Sequence, residues 1–171
     1  MKFVLKNLNF INNIDGNAKC NIKNMSEVIN DNTIDKLAVV VVTYKRQELL
    51  ENLFKSFERL NQCPWRIVVV DNEKSEKTRD MVQDLGDVLT RRWGSASVDD
   101  SGDSSRVVYA PQSSNLGGAG GFSAGVKKAY ELGAQWFWVM DDDVETVPES
   151  IERLSKWTKS HDVIQGSRLD Y

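Results

Sequence analysis

The chain has 171 residues, with 25 Asp and Glu against 22 Lys and Arg and a formal net charge of -3. That length is enough for one hydrophobic core or for part of a larger one, and the acidic balance argues against a nucleic-acid binder, which carries a basic face. No apolar run approaches the roughly 20 residues that span a bilayer, and "MKFVLKNLNFINNIDG" lacks the apolar core and cleavage site of a secretory signal.

Residues 1–36 are rich in Asn and differ in composition from the rest of the chain. "KFVLKNLNFI" alternates loosely, and Asp15-Gly16 is a good two-residue turn before "NAKCNIK". A small β-hairpin arm is expected, then a polar linker, "SEVINDNTIDK"; half of an accessory β domain is the alternative. A second unit is expected over 37–171. It opens with "LAVVVV" (37–42), a continuous β-branched run that suits a strand buried on both faces. Leu49, Leu50, Leu53, Phe54, Phe57 and Leu60 then share one helical stripe, and Pro64 closes the unit. "RIVVV" (66–70) is a second strand, ended by Asp71-Asn72. A helix over 75–90 turns Met81, Val82, Leu85 and Leu89 inward. "GSASVDDSGDSS" (94–105) reads as a flexible surface loop, and "RVVYA" (106–110) as a third strand.

"PQSSNLGGAGGF" reads as a glycine-rich turn. "FSAGVKKAYELG" is then a helix with Phe122, Val126, Ala129 and Tyr130 inward and Gly133 as its stop. "QWFWVM" (135–140) is a fourth strand, followed at once by Asp141-Asp142-Asp143. Thr146 and Glu149 have capping-box spacing. They head a helix over 147–159 with Ile151, Leu154 and Trp157 on the core face, and 162–166 is one more strand. This alternation predicts an α/β fold, a mostly parallel sheet flanked by helices and joined by right-handed crossovers. Cys20 and Cys63 have no framework or metal spacing and are expected as free thiols of a reducing cytoplasm. The lone His161 is not counted among the functional residues.

Polar clusters follow all four strands: Thr43-Tyr44-Lys45-Arg46, Asp71-Asn72, Asn115 with its glycines, and the aspartate triplet. In a parallel sheet these strand ends share one edge, and ligands bind outside it where the strand order reverses. "NLGGAGGFSAG" (115–125) holds five of the chain's 11 glycines. They allow close backbone approach to a ligand, and a helix starting near Gly121 favours an anion such as phosphate. Neither common nucleotide motif fits. Gly118 and Gly120 meet the dinucleotide fingerprint but Ser123 takes its third position, and no Gly-Lys-Ser/Thr is present. Three adjacent carboxylates suit Mg²⁺ or Mn²⁺, which would remove their repulsion and in turn hold a diphosphate. If the backbone is extended there, Asp141 and Asp143 approach one ligand while Asp142 points the other way.

"VVVVTYKRQELLENLFKSF", "IVVVDNEKSEKT", "NLGGAGGFSAGVKKA" and "FWVMDDDVETVPESIERL" occur in that order. Together they resemble the nucleotide-binding half of family 2 inverting glycosyltransferases of GT-A fold, over roughly residues 37–169. "NLGGAGGF" with "MDDDV" looks most like the galactofuranosyltransferase and rhamnosyltransferase-like branch. The resemblance implies that Thr43, Tyr44 and Arg46 line the nucleoside pocket, with Lys45 standing where the family usually has Asn. It implies that Asp71 accepts a hydrogen bond from the base, and that Asn115, Gly117 and Gly118 pass close to the ribose and diphosphate. Asp141 and Asp143 would be the metal ligands, Asp141 and Asp142 being counted also with the donor-binding residues. The implied activity is metal-dependent (Mn²⁺ or Mg²⁺), inverting transfer from a UDP- or TDP-sugar to a glycan or lipid-linked glycan of the bacterial surface. That places the protein in the cytoplasm or at the inner face of the membrane. The family's general base falls beyond Tyr171, so the chain is expected to be the donor-binding half. Two alternatives stand beside this: a sugar-1-phosphate nucleotidyltransferase, which would need a glycine- and lysine-rich loop where "TYKRQE" stands, and a non-catalytic nucleotide-sugar-binding module.

Overall fold

The computed structural model describes residues 2–6, 34–99 and 102–166. The β-branched runs form the centre of a six-stranded sheet. Its strands are β1 (Lys2–Lys6), β2 (Leu37–Thr43), β3 (Arg66–Asp71), β4 (Val107–Pro111), β5 (Trp136–Asp141) and β6 (Val163–Gln165), in the order β4-β3-β2-β5-β1-β6. The four strands β4, β3, β2 and β5 are mutually parallel, whereas β1 runs antiparallel to both β5 and β6. Every residue of β2 and β3 is buried, as expected of strands covered on both faces.

Alternate side chains feed two cores, because successive residues of a strand face opposite ways. Val39, Val41, Ile67 and Val69 pack with Leu50, Leu53, Phe54 and Phe57 of α1 (Gln47–Glu58) and with Val82, Leu85 and Leu89 of α2 (Glu76–Trp93). Ile151 and Leu154 of α4 (Ser150–Ser155) join the same core. Val40, Val42, Val68 and Val70 pack on the other face with Ala129 of α3 (Gly117–Glu131). From β2 the chain steps outward to β3 and β4, then returns to β5 on the other side of β2. The strand order therefore reverses between β2 and β5.

Several expectations change on folding. The N-terminal strand does not stand apart as an arm: β1 is inserted between β5 and β6, with Val4 fully buried in the larger core. The hairpin turn Asp15-Gly16, the linker up to 33 and Cys20 lie outside the described residues. Glycines 117–121 are not a turn, since they form the first turns of α3. A Cβ on Gly125 would lie 2.4 Å from Val40 Cγ1 and 2.7 Å from Val70 Cγ2, and one on Gly121 2.6 Å from Val42 Cγ1. These two glycines let the helix sit directly on the valines. Gly133 ends α3 as expected, at φ 95°. Its amide bonds to Tyr130 O and that of Ala134 to Ala129 O, a Schellman ending.

Three large side chains expected in the core, Leu49, Tyr130 and Trp157, are 41%, 46% and 56% exposed. Trp157 instead meets the His161 ring edge-to-face. The last helix is short, and Thr146 does not cap it: Thr146 pairs with the buried Ser56 hydroxyl of α1 at 3.0 Å. The described parts of the 94–105 segment, 94–99 and 102–105, are not a free loop. Asp99, Asp103 and Ser105 close over the fully buried Arg66, whose guanidinium meets Asp99 at 3.3 Å and Asp103 at 3.2 Å and donates to Ser105 O at 2.6 Å. An isolated guanidinium at such depth would cost several kcal/mol, roughly, so its partners must fold around it.

Candidate functional site

Register brings the four polar clusters to one edge. Thr43 is level with Asp71, Val42 with Asp141, and Asp71 with Pro111. The chain then ties the loops together. Thr43 Oγ1 donates to Asp142 Oδ2 at 2.8 Å, and Thr43 O accepts from Asn72 N at 3.0 Å. Asn72 Nδ2 donates to Gly117 O at 3.2 Å, and Asn72 Oδ1 accepts from Leu116 N at 3.4 Å. One run of hydrogen bonds therefore joins the aspartate triplet, across β2 and β3, to the glycine end of α3.

The triplet departs from the extended arrangement expected of it. The strand ends at Asp141, and Asp142-Asp143 turn out of it, so simple alternation is lost. Asp142 is buried and does not point away: it lies between the Thr43 hydroxyl and Arg46 Nη1, the latter at 3.3 Å. The same Arg46 nitrogen reaches Asp143 Oδ2 at 3.5 Å, where both side chains are half exposed. A guanidinium and a hydroxyl thus offset the charge of the neighbouring Asp142 and Asp143. Burial pushes the Asp142 carboxyl above the usual carboxylate range, against the pull of Thr43 and Arg46. Among the sequence-predicted residues, Thr43 and Arg46 are therefore directed at the aspartates. Tyr44 is exposed, with the Lys45 ammonium 5.2 Å from its ring centroid, and Lys45 itself takes φ 58°.

Asp71 is fully buried and organises the turn behind it. Its Oδ1 accepts from Glu73 N, and its Oδ2 accepts from Ser75 N and from the Tyr109 hydroxyl at 2.8 Å. Burial, then the bond to this carboxylate, pushes the Tyr109 hydroxyl up to about 12. Ser75 in turn caps α2 by accepting from Thr78 N. Gln47 Nε2, at the start of α1, donates to Glu73 across the same corner at 3.0 Å. Asn115 is exposed and accepts from Gly117 N at 2.8 Å. Gly117 takes φ 65°, and a Cβ on Gly117 or Gly118 would meet no atom within 4 Å, so this backbone faces open space.

Tyr109, Ser75 and Gln47 escaped the sequence reading as site residues, and Asn72 was placed in the polar cluster after β3 without a role of its own. Tyr109, the one side chain of its strand with a polar tip, and Ser75, three residues before Thr78, carried faint signals. Nothing local marks Asn72 or Gln47 as bridging.

Among the described residues no three His, Cys, Asp or Glu side chains gather into a ready metal set. Asp141 and Asp143 still fit Mg²⁺ or Mn²⁺ by donor chemistry. Such ions are held by one or two carboxylates, with diphosphate and water oxygens supplying the rest, and the Asp143 side chain is 50% exposed beyond the end of β5.

The Glycosyl transferase family 2 model matches residues 38–171. The chain belongs to this family. Among its relatives is the galactofuranosyltransferase GlfT1 of Mycolicibacterium smegmatis, 33% identical over 107 residues, covering 63% of this chain and 30% of that protein. A dolichol-phosphate mannosyltransferase of Pyrococcus furiosus is 28% identical over 135 residues, covering 78% and 33%. This family 2 chain thus spans about a third of the length of the curated relatives it matches. Its GT-A architecture recurs in Staphylococcus aureus TarS 1-349 in complex with UDP, with TM-score 0.56, 19% identity and coverage of 74% of this chain and 32% of that one. It recurs also in the mannosyltransferase PcManGT of Pyrobaculum calidifontis in complex with GDP-Man and Mn²⁺, with TM-score 0.53, 16% identity and coverage of 71% and 32%. Among the described residues no helix is long and apolar enough to cross a membrane.

Proposed function

We propose that this chain is the donor-binding half of a metal-dependent glycosyltransferase that takes a hexosyl group from a UDP- or TDP-sugar. The observation that carries the reading is the hydrogen-bonded run Asp142–Thr43–Asn72–Gly117, which puts the acidic triplet and the open glycine backbone on one crevice at the switch point between β2 and β5. Family membership favours glycosyl transfer over nucleotidyl transfer.

In this reading the exposed amides at the start of α3 receive the diphosphate, since a helix N-terminus offers unpaired N–H groups to an anion. The base lies toward the β3 corner. There a base N–H would share Asp71 Oδ1, which among the described residues takes only the Glu73 amide, and the Asp71 carboxylate is held in place by Ser75 and Tyr109. Asp141 and Asp143 would hold Mn²⁺ or Mg²⁺ beside the diphosphate. The bound ion supplies Lewis-acid neutralisation of the charge that grows on the leaving diphosphate. The acceptor, a glycan or lipid-linked glycan, attacks the anomeric carbon from the face opposite the diphosphate, so the configuration inverts. No residue of this chain is assigned as the base that deprotonates the acceptor.

Titration calorimetry with UDP tests the reading. Binding is expected with Mn²⁺ and is expected to be lost in EDTA, while Asp143→Ala abolishes the metal-dependent increment. Equal affinity for UDP with and without metal would sink the metal role.

A further inference from the structure

We propose that Arg46 is a built-in counter-cation for the aspartate triplet. It holds Asp143 while no divalent ion is bound and releases that carboxylate when the ion and diphosphate arrive. This rests on the metal-dependent reading above and assigns Arg46 a place different from the nucleoside pocket.

A single nitrogen, Arg46 Nη1, meets two carboxylates of unequal character. Asp142 has a 4% exposed side chain and a second partner in the Thr43 hydroxyl, so the 3.3 Å pairing there is the anchored leg. The 3.5 Å pairing with Asp143 joins side chains that are 54% and 50% exposed. Exposed pairs are weak and screened by salt, so this leg breaks first. The backbone that carries it is fixed meanwhile, because Arg46 is the N-cap of α1 and its carbonyl accepts from Leu50 N at 3.0 Å.

A dication on Asp143 and a guanidinium at ion-pair distance from the same carboxylate repel one another. Arg46 and the ion must therefore compete for Asp143. Arg46 can then stay on Asp142 alone, where it keeps the buried charge paired, or turn toward the incoming diphosphate. It is a positioning residue: it keeps the two carboxylates together in the empty site and lowers the site's affinity for an ion that arrives without nucleotide.

Manganese titrations followed by the electron spin resonance of the free ion test this on the wild type, Arg46→Gln and Arg46→Lys, each without nucleotide and with UDP. Without nucleotide, Arg46→Gln is expected to bind Mn²⁺ roughly two- to fivefold more tightly than wild type, matching the worth of an exposed ion pair. Arg46→Lys is expected to restore wild-type affinity, and added NaCl to narrow the gap between Gln and wild type. Equal or weaker binding by Arg46→Gln, in a wild type that takes up Mn²⁺ with UDP, overturns the role of Arg46 alone. Failure of every protein to bind Mn²⁺ even with UDP overturns the metal-dependent reading and this inference with it. Should Arg46→Gln not fold, as its melting curve would reveal, Mg²⁺ titration of ¹⁵N-arginine-labelled wild type decides. The Arg46 side-chain resonance must move as Mg²⁺ binds, and an unmoved resonance rejects the competition.

Discussion

At the scale of single residues, the site depends on side chains spent on one another. Thr43 has the family's hydroxyl at the end of β2, but its hydrogen goes to Asp142. That tie joins residues 99 positions apart, and no local pattern could have foretold it. What was legible was the kind of residue at each strand end; which partner each would take was not. Asp71 shows the same limit. It reads as a ligand to a base, yet it also shapes its own turn and holds the Tyr109 hydroxyl. The pH dependence of that bond can be worked out. The Tyr109 hydroxyl is raised from 10.0 to about 12, so its stabilising contribution is complete below pH 10. Above that the unfolded tyrosine ionises first, and the contribution is lost as pH rises toward 12. Tyr109→Phe is therefore expected to be less stable than wild type at pH 8, with the gap in denaturation midpoints closing between pH 10 and 12. A gap that stays constant across that range would show that the hydroxyl is not held as described.

At the scale of elements, the strands were readable because short apolar runs rich in β-branched and aromatic residues, bounded by polar ones, have few other fates. The helices α1 and α2 were readable from their apolar stripes. The start of α3 was not. Four glycines favour a turn by propensity, each glycine costing about 1 kcal/mol in a helix. Packing overrides this: a helix without Cβ atoms at 121 and 125 can rest on Val40, Val42 and Val70. Gly125→Ala weighs the two effects against each other. Propensity alone would stabilise the protein by about 1 kcal/mol. The added methyl would sit 2.4 Å from Val40 Cγ1 in a strand with stiff, buried side chains. Overpacking of this kind costs about 1–3 kcal/mol, so a net loss of stability is expected, at about 2–4 °C in melting temperature per kcal/mol. Thermal melting of the variant checks this, and an unchanged or raised midpoint would mean that α3 does not dock so closely. The 94–105 loop taught the reverse lesson. Its Ser, Gly and Asp composition reads as flexible, but the residue that folds it, Arg66, lies on β3 some 30 positions earlier.

At the scale of the whole molecule, the alternation of strand and helix was enough to place four strand ends on one edge. The family resemblance carried by the four motifs agrees with the match to glycosyl transferase family 2 over residues 38–171. What alternation could not reveal is the antiparallel margin. The short β1 reaches the sheet from some 30 residues before β2, and its place between β5 and β6 is a matter of pairing with distant strands. The aspartate triplet and the Asp99–Asp103 loop are both acidic, yet they lie at opposite ends of the parallel strands: the first follows the end of β5, and the second folds over Arg66, where β3 begins. Function should distinguish them. Paramagnetic broadening by Mn²⁺ in the presence of UDP, read amide by amide on ¹⁵N-labelled protein, measures where the ion sits. Broadening centred on residues 141–143 and reaching 43–46, 72 and 117–118 is the expected result. Broadening centred on residues 99–105, or none that depends on UDP, would contradict the proposal that these strand ends form one cation-bridged diphosphate site.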